Sequence, residues 1–209
     1  MPTWAICNFV RLYFCIALLA MFLYLMLWKP LIKHQKFPLI SFLLVIGMLG
    51  LFGIPEIQWL SSEHQASLAV AAISGNPKGK LLCQRFSEAL FDSKPAIAGY
   101  VDWNQPDVAV MKWDQCEQLF KWMNSDKTDP TKDEISAVHI LSHETIHVAG
   151  NRDEASTECM AVDTDSVMAQ FLGASPEQGN YIASVYFRMI WPYMPAGYQL
   201  AGCSLPNYQ

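Results

Sequence analysis

Apolar residues crowd the start of the chain and then become periodic. Leu12 to Trp28 is an unbroken apolar run, and Phe37 to Ile54 is a second one of similar length. Neither shows the polar face of an amphipathic helix, and each is long enough for a bilayer, which asks for roughly 17–25 residues. The pattern predicts a two-helix transmembrane hairpin over residues 1–55, with helices at about 8–28 and 37–54 and a loop at 29–36. A cleaved signal peptide fits poorly, because the first run is long and lacks a small-residue cleavage site.

From residue 56 onward the pattern is that of a folded domain, 56–209. Residues 56–92 read as mostly helical, with an Ala-rich stretch Gln65 to Ser74, a Gly75-Asn76-Pro77 break, and a further helix over Leu81 to Phe91. Ala96 to Trp103 and Val108 to Trp113 are β-prone and joined by the turn-forming string Asn104-Gln105-Pro106-Asp107, which predicts a hairpin. Asp114 to Met123 returns to helix, and Asn124 to Pro130 is a polar loop. Thr131-Lys132-Asp133-Glu134 has the form of a capping box opening the next helix. Its stripe is Ile135, Val138, Ser142, Thr145, Ile146 and Ala149, and Gly150 stands where a helix-ending glycine belongs. Another helix begins near Asn151 or Asp153. Pro176 to Trp191 forms the last one, with Tyr181, Phe187 and Trp191 expected in the core. The fold class is α+β, mainly α-helical.

Charge sharpens the boundary. The first 55 residues hold Arg11, Lys29, Lys33 and Lys36 and no acid, whereas all 19 Asp and Glu lie beyond them. Lys29, Lys33, His34 and Lys36 cluster between the apolar runs, so the positive-inside rule puts that loop in the cytoplasm. The expected location is the cell membrane, multi-pass with two spans, with the folded domain extracytoplasmic. An acidic domain without a basic patch speaks against nucleic-acid binding. Cys7 and Cys15 fall in the anchor; Cys83, Cys116, Cys159 and Cys203 fall in the outer domain, an even number suited to disulfides. Four cysteines allow three pairings, and the expected one joins Cys83 to Cys116 and Cys159 to Cys203. No C-x-x-C pair supports a cysteine zinc site instead.

The chemistry concentrates in His143-Glu144-Thr145-Ile146-His147. Histidines four apart share a helix face, so both can reach one metal ion, and the intervening glutamate lies beside it as a base for a bound water. The third ligand is expected from the following helix, where Glu154 and Glu158 share a face. One can bind metal while the other accepts the free N–H of a ligand histidine. His139, one turn earlier, is offset further from the metal and is expected to line the cleft or lie at the surface.

His143 through Glu158 resembles the H-E-x-x-H zinc metallopeptidases, the zincins, and Glu154-x-x-x-Glu158 is similar to the gluzincin pattern. That resemblance implies Glu154 as third zinc ligand and Glu158 as support for a histidine. The gap from His147 to Glu154 is far shorter than in the large gluzincins. The string His143-Glu144-x-x-His147-x-x-Gly150-x-x-Asp153 also resembles the metzincins, with Asp153 as ligand and Met194 offered as a Met-turn. Asp153 has a competing task as helix N-cap. An anchor joined to a compact cysteine-containing domain looks like small bacterial membrane-anchored peptidases.

The expected function is a zinc-dependent metallopeptidase that hydrolyses peptide bonds, with Zn2+ as cofactor and Glu144 as general base. A peptide or protein is the substrate and the lipid bilayer the other partner. In zincins a strand upstream of the metal helix often pairs with extended substrate, and the hairpin here either does this or is simply structural. Tyr186, Tyr193 and Tyr198 are candidates to stabilise an oxyanion. Two other readings remain open: a catalytically inactive zincin-like interaction module on the membrane, and a zinc hydrolase acting on a cell-wall amide. Substrate preference and oligomeric state are not legible.

Overall fold

A computed structural model describes residues 16–24, 39–89 and 97–205. Its contacts fall into two units, Met1–Ser61 and Ser62–Gln209. In the first, residues 16–24 are helical, and a long helix, α1 (Leu39–Ser74), begins. Among the described residues no helix is long and apolar enough to cross a membrane, so the expected pair of spans is not found. The uncharged part of α1 ends at Pro55, near the short limit of roughly 17–25 residues, and Glu56, Glu63 and His64 follow. Most of the expected first span and all of its loop lie outside the described residues.

The second unit is mainly helical around a small sheet, which agrees with the α+β class. Strands β1 (Lys80–Cys83), β2 (Gly99–Val101) and β3 (Val108–Met111) lie in the order β1-β3-β2. The hairpin expected from the turn string exists, shortened: β2 pairs antiparallel with β3, Tyr100 opposite Val110. The expected helix over Leu81 to Phe91 is corrected. Lys80–Cys83 is instead a strand parallel to β3, and among the described residues of that range only Phe86–Ala89, α2, turns helically. Burial alternates along β1, with Leu81 and Cys83 inward, and its pairing comes from residues nearly thirty positions away, so local apolarity could not reveal it.

Four helices complete the unit: α3 (Trp113–Met123), α4 (Lys132–Val148), α5 (Glu154–Phe171) and α6 (Pro176–Met189). The capping box forms as its sequence predicts. Glu134 N donates to Thr131 Oγ1 at 3.3 Å, and Thr131 N donates to Glu134 Oε2 at 2.8 Å. Gly150, at φ +104°, takes the left-handed turn that ends α4, a conformation that L side chains resist. α4 is the central helix, touching α3, α5, α6, β2 and β3. From Leu141 to Val148 every residue is buried. A helix enclosed on all sides shows no clean amphipathic stripe, and its polar side chains must find partners inside.

Trp122, Met111, Leu119, Ile135, Leu141, Met168, Leu172 and Ile182 fill the core. Each apolar side chain buried there stabilises the fold by roughly 1.5–3 kcal/mol. On α6 the core positions are Ile182, Ala183 and Tyr186, while Tyr181 is exposed, which corrects the expected aromatic face. Both expected disulfides are present. Cys83–Cys116 ties β1 to α3, and Cys159–Cys203 ties α5 to the C-terminal segment.

Candidate metal centre

The site lies where α4 meets α5. Helical spacing puts His139, His143 and His147 on one face of α4, and the short turn after Gly150 brings α5 back alongside. The acids of α5 meet those histidines in reverse order. Glu154 approaches His147 and His143, Glu158 approaches His143 and His139, and Asp165 approaches His139.

The protonation of the two motif histidines follows from their outer nitrogens. His143 Nδ1 lies 2.9 Å from Glu158 Oε2, and His147 Nδ1 lies 2.8 Å from the main-chain oxygen of Asn151. A carboxylate and a carbonyl accept, so both Nδ1 atoms donate, and each ring in its neutral form turns an Nε2 lone pair inward. Those Nε2 atoms stand 3.0 Å apart. Glu154 Oε2 lies 3.2 Å from the first and 3.5 Å from the second. In that form three acceptors converge, an arrangement that a cation between them would relieve. His143, His147 and Glu154 could hold a metal ion, and so could His139, His143 and Glu158.

Of the two candidate third ligands, Glu154 and not Asp153 lies beside the motif histidines. Asp153 caps α5, its Oδ1 accepting from Ser156 N at 2.8 Å, so its carboxylate is committed elsewhere. The metzincin reading, with Asp153 as ligand and Met194 as its turn, loses that ligand. Glu158 is 1% exposed and gathers donors instead. Its Oε2 accepts from His143 Nδ1, its Oε1 accepts from the Tyr186 hydroxyl, and His139 Nε2 lies 3.2 Å from Oε2. Burial alone would raise this carboxyl, but the contacts with His139, His143 and Tyr186 outweigh it and hold the group well below the usual carboxylate range.

Glu144 is of a different kind. It is 4% exposed, and its Oε2 has no hydrogen-bond partner. Burial, and then the Glu154 charge, push it up to about 8. Gly99 of β2 lies against it so closely that a Cβ there would sit 2.8 Å from Glu144 Oε1. Exchanging Gly99 for alanine should therefore displace the Glu144 carboxylate without touching any metal-facing atom. The pH dependence of stability that the buried Glu144 carboxyl sets should change while metal uptake matches the parent's, and an unchanged pH dependence would contradict this placement.

The rim of the site is aromatic. Trp103, in the β2–β3 turn, sets its ring edge-on to that of His147, centroids 5.9 Å apart, and the Arg152 guanidinium lies 4.5 Å over the Trp103 ring. Of the three tyrosines, Tyr193 is 86% exposed and Tyr186 is engaged by Glu158. Tyr198 lies with its ring 6.0 Å from that of His143. Burial, then Glu154, Glu158 and Glu144, raise its hydroxyl above the ordinary phenol value. It belongs to a turn, Ala196–Tyr198, that packs on α5.

His139, expected to line the cleft or lie at the surface, is instead 2% exposed and sandwiched between Asp165 and Glu158. Asp165 was missed altogether, although it lies seven residues beyond Glu158, two helical turns along the same face. No protein-family model, no curated protein and no solved structure matches the chain.

Proposed function

We propose that the chain is a zincin-like, membrane-anchored zinc metallopeptidase whose folded domain lies outside the cytoplasm. One observation carries the reading: three inward-turned acceptors, two imidazoles and a carboxylate, within 3.0–3.5 Å of one another. Tetrahedral zinc with bonds of about 2.0–2.1 Å separates its ligand atoms by about 3.3 Å, and catalytic sites use such a three-ligand set. The donor set therefore fits zinc.

When bound, zinc lowers the pKa of the water it holds and polarises the scissile carbonyl. The surrounding side chains divide the remaining work. Glu144 accepts the proton of the attacking water and delivers it to the leaving amine as the C–N bond breaks, giving a carboxylic acid and an amine. Its ligand-free Oε2 leaves one oxygen available for that transfer. Glu158 orients His143, and the main-chain oxygen of Asn151 orients His147, keeping both lone pairs inward. The Tyr198 hydroxyl donates to the developing oxyanion. Gly99 belongs to an edge strand of the sheet, which suits an extended peptide laid beside Glu144.

The anchor reading draws on α1, where Leu39, Leu43, Ile46, Leu51, Ile54 and Ile57 are exposed. Exposed apolar side chains around a charge-free helical stretch suit lipid better than water. The lysine cluster at residues 29–36 sets the orientation.

The test is hydrolysis by the full-length chain in detergent, with a mixed peptide pool and purified peptidoglycan as parallel substrates. Cleavage of peptides, abolished by a chelator and restored by zinc, is the expected result. Cleavage of peptidoglycan alone would transfer the site to cell-wall amides, and inertness of the zinc-loaded protein toward both would contradict an enzyme.

A further inference from the structure

The rim of the site holds a cation that the hydrolytic steps above do not use. Arg152 is exposed, and its guanidinium lies 4.5 Å over the ring of Trp103. That ring stands edge-on to His147, centroids 5.9 Å apart, and is itself 39% exposed. Two acids follow Arg152 directly in the chain, yet neither pairs with it. Asp153 Oδ1 accepts from Ser156 N, and Glu154 Oε2 faces the motif histidines. Among the described residues the guanidinium makes no hydrogen bond and no ion pair.

Both members of the pair stand on braced turns. His147 Nδ1 donates to the Asn151 main-chain oxygen at 2.8 Å, and Asp153 N donates to Asn151 Oδ1 at 3.2 Å. Asn151 Nδ2 donates to Ser156 Oγ at 3.1 Å. The backbone on either side of Arg152 is thus tied to a proposed zinc ligand and to the first turn of α5. Trp103 sits in a turn closed by Gln105 N on the Asp102 main-chain oxygen at 2.7 Å and by Asn104 N on Asp102 Oδ1 at 2.9 Å. The turns hold the base of the arginine and the ring holds its head, so less freedom remains to be lost when a ligand binds.

A ring face attracts a guanidinium through its charge and leaves N–H donors unused. Those donors form a planar fork that matches a carboxylate with two parallel hydrogen bonds. Along α5 a substrate carboxylate would meet like charge from Glu154 and Glu158, so Arg152 offers it the matching one. The steps from His147 to Trp103 and on to Arg152 are 5.9 Å and 4.5 Å, a span that an extended chain at about 3.3 Å per residue covers in about three residues.

We propose that Arg152, held over Trp103, binds a substrate carboxylate, so that the site selects peptides carrying one within about three residues of the scissile bond. An acidic side chain and a free C-terminus supply the same group. The inference rests on the peptidase reading proposed above, and its test separates the two failures.

The zinc-loaded full-length protein is given one cleavable peptide in three forms. One has glutamate near the scissile bond and an amidated end, one has glutamine there and a free C-terminus, and one has glutamine and an amidated end. A carboxylate form should show kcat/KM roughly 10-fold above the all-amide form, the scale of a charged hydrogen bond at an exposed site. The better of the two names the source. Arg152→Gln should bring that ratio close to one, and Arg152→Lys should keep part of it, because the charge stays while the fork is lost. Equal cleavage of all three forms by the parent, or a ratio that survives Arg152→Gln, would overturn the assignment. A parent that cleaves none of them overturns the peptidase reading, and calorimetric binding of the same peptides to metal-free protein then decides Arg152. A preference of roughly 10-fold for a carboxylate form, lost in Arg152→Gln, sustains the carboxylate site. Equal or absent binding overturns it.

Discussion

Glu144→Gln should abolish most hydrolysis while leaving zinc in place. Glutamine has nearly the same shape but cannot take up a proton at neutral pH, so the variant should lose roughly 10²–10⁴-fold in kcat, the range general-base catalysis supplies. Glu144 touches none of the metal-facing atoms, so zinc content should match the parent. A structural site on an inactive interaction module would gain nothing from a base there, and the substitution would then leave cellular behaviour unchanged. Stability supplies a second readout. In the metal-free fold, burial and the Glu154 charge raise this carboxyl to about 8 from its ordinary value near 4.5. The folded chain therefore holds the proton more tightly than the unfolded chain does. Its stability from this group is present at acid pH and is lost as pH rises between those two values. Thermal melting of metal-free Glu144→Gln should lack that loss and should exceed the parent near pH 8. An equal pH dependence in both proteins would contradict the burial of an ionisable Glu144.

Glu154→Ala and Asp153→Ala, one position apart, should behave in opposite ways. Glu154 puts its Oε2 3.2 and 3.5 Å from the two Nε2 atoms, so its loss would remove one of the three proposed ligands. Zinc affinity should drop by more than the roughly 10–100-fold seen when only an outer partner is removed. Stability should barely change, because the Glu154 side chain is half exposed, at 49%. Asp153→Ala should keep zinc affinity and lose about 1 kcal/mol of stability, the usual cost of an N-cap whose side chain accepts from the first turn of its helix. Chelator competition and thermal melting on the two variants read both effects. The opposite pattern would restore the aspartate-ligand reading.

The contrast marks what was legible in the sequence. Helix boundaries announced themselves through local chemistry: the Thr131–Glu134 capping box, Gly150 after α4 and Asp153 before α5 all act within a few residues. The motif histidines and Glu154 were legible because a four-residue spacing and a short turn fix their geometry. Lys80–Cys83 was not, since its strand state comes from pairing with β3 across the chain. His139 was misplaced for a related reason. Its helical offset from the motif does not report the cover from α6, whose Tyr186 stacks on the ring. The missed signal was present in two interlocking spacings. His139, His143 and His147 step by four along α4, and Asp165, Glu158 and Glu154 step back along α5 in reverse. The antiparallel pairing of the two helices, carried two turns past Glu158, gives His139 an acid of its own in Asp165. Tyr198 was one of three equivalent tyrosines in the sequence, and only the turn Ala196–Tyr198 packed on α5 distinguishes it.

The central claim is that α4 and α5 together make a metal centre, and elemental analysis of the purified full-length chain tests it most directly. The parent should carry one equivalent of zinc per chain after exposure to a mixture of physiological divalent metals, and the paired variant His143→Ala with His147→Ala should carry none. A parent without stoichiometric metal, or a double variant that retains it, would contradict the account.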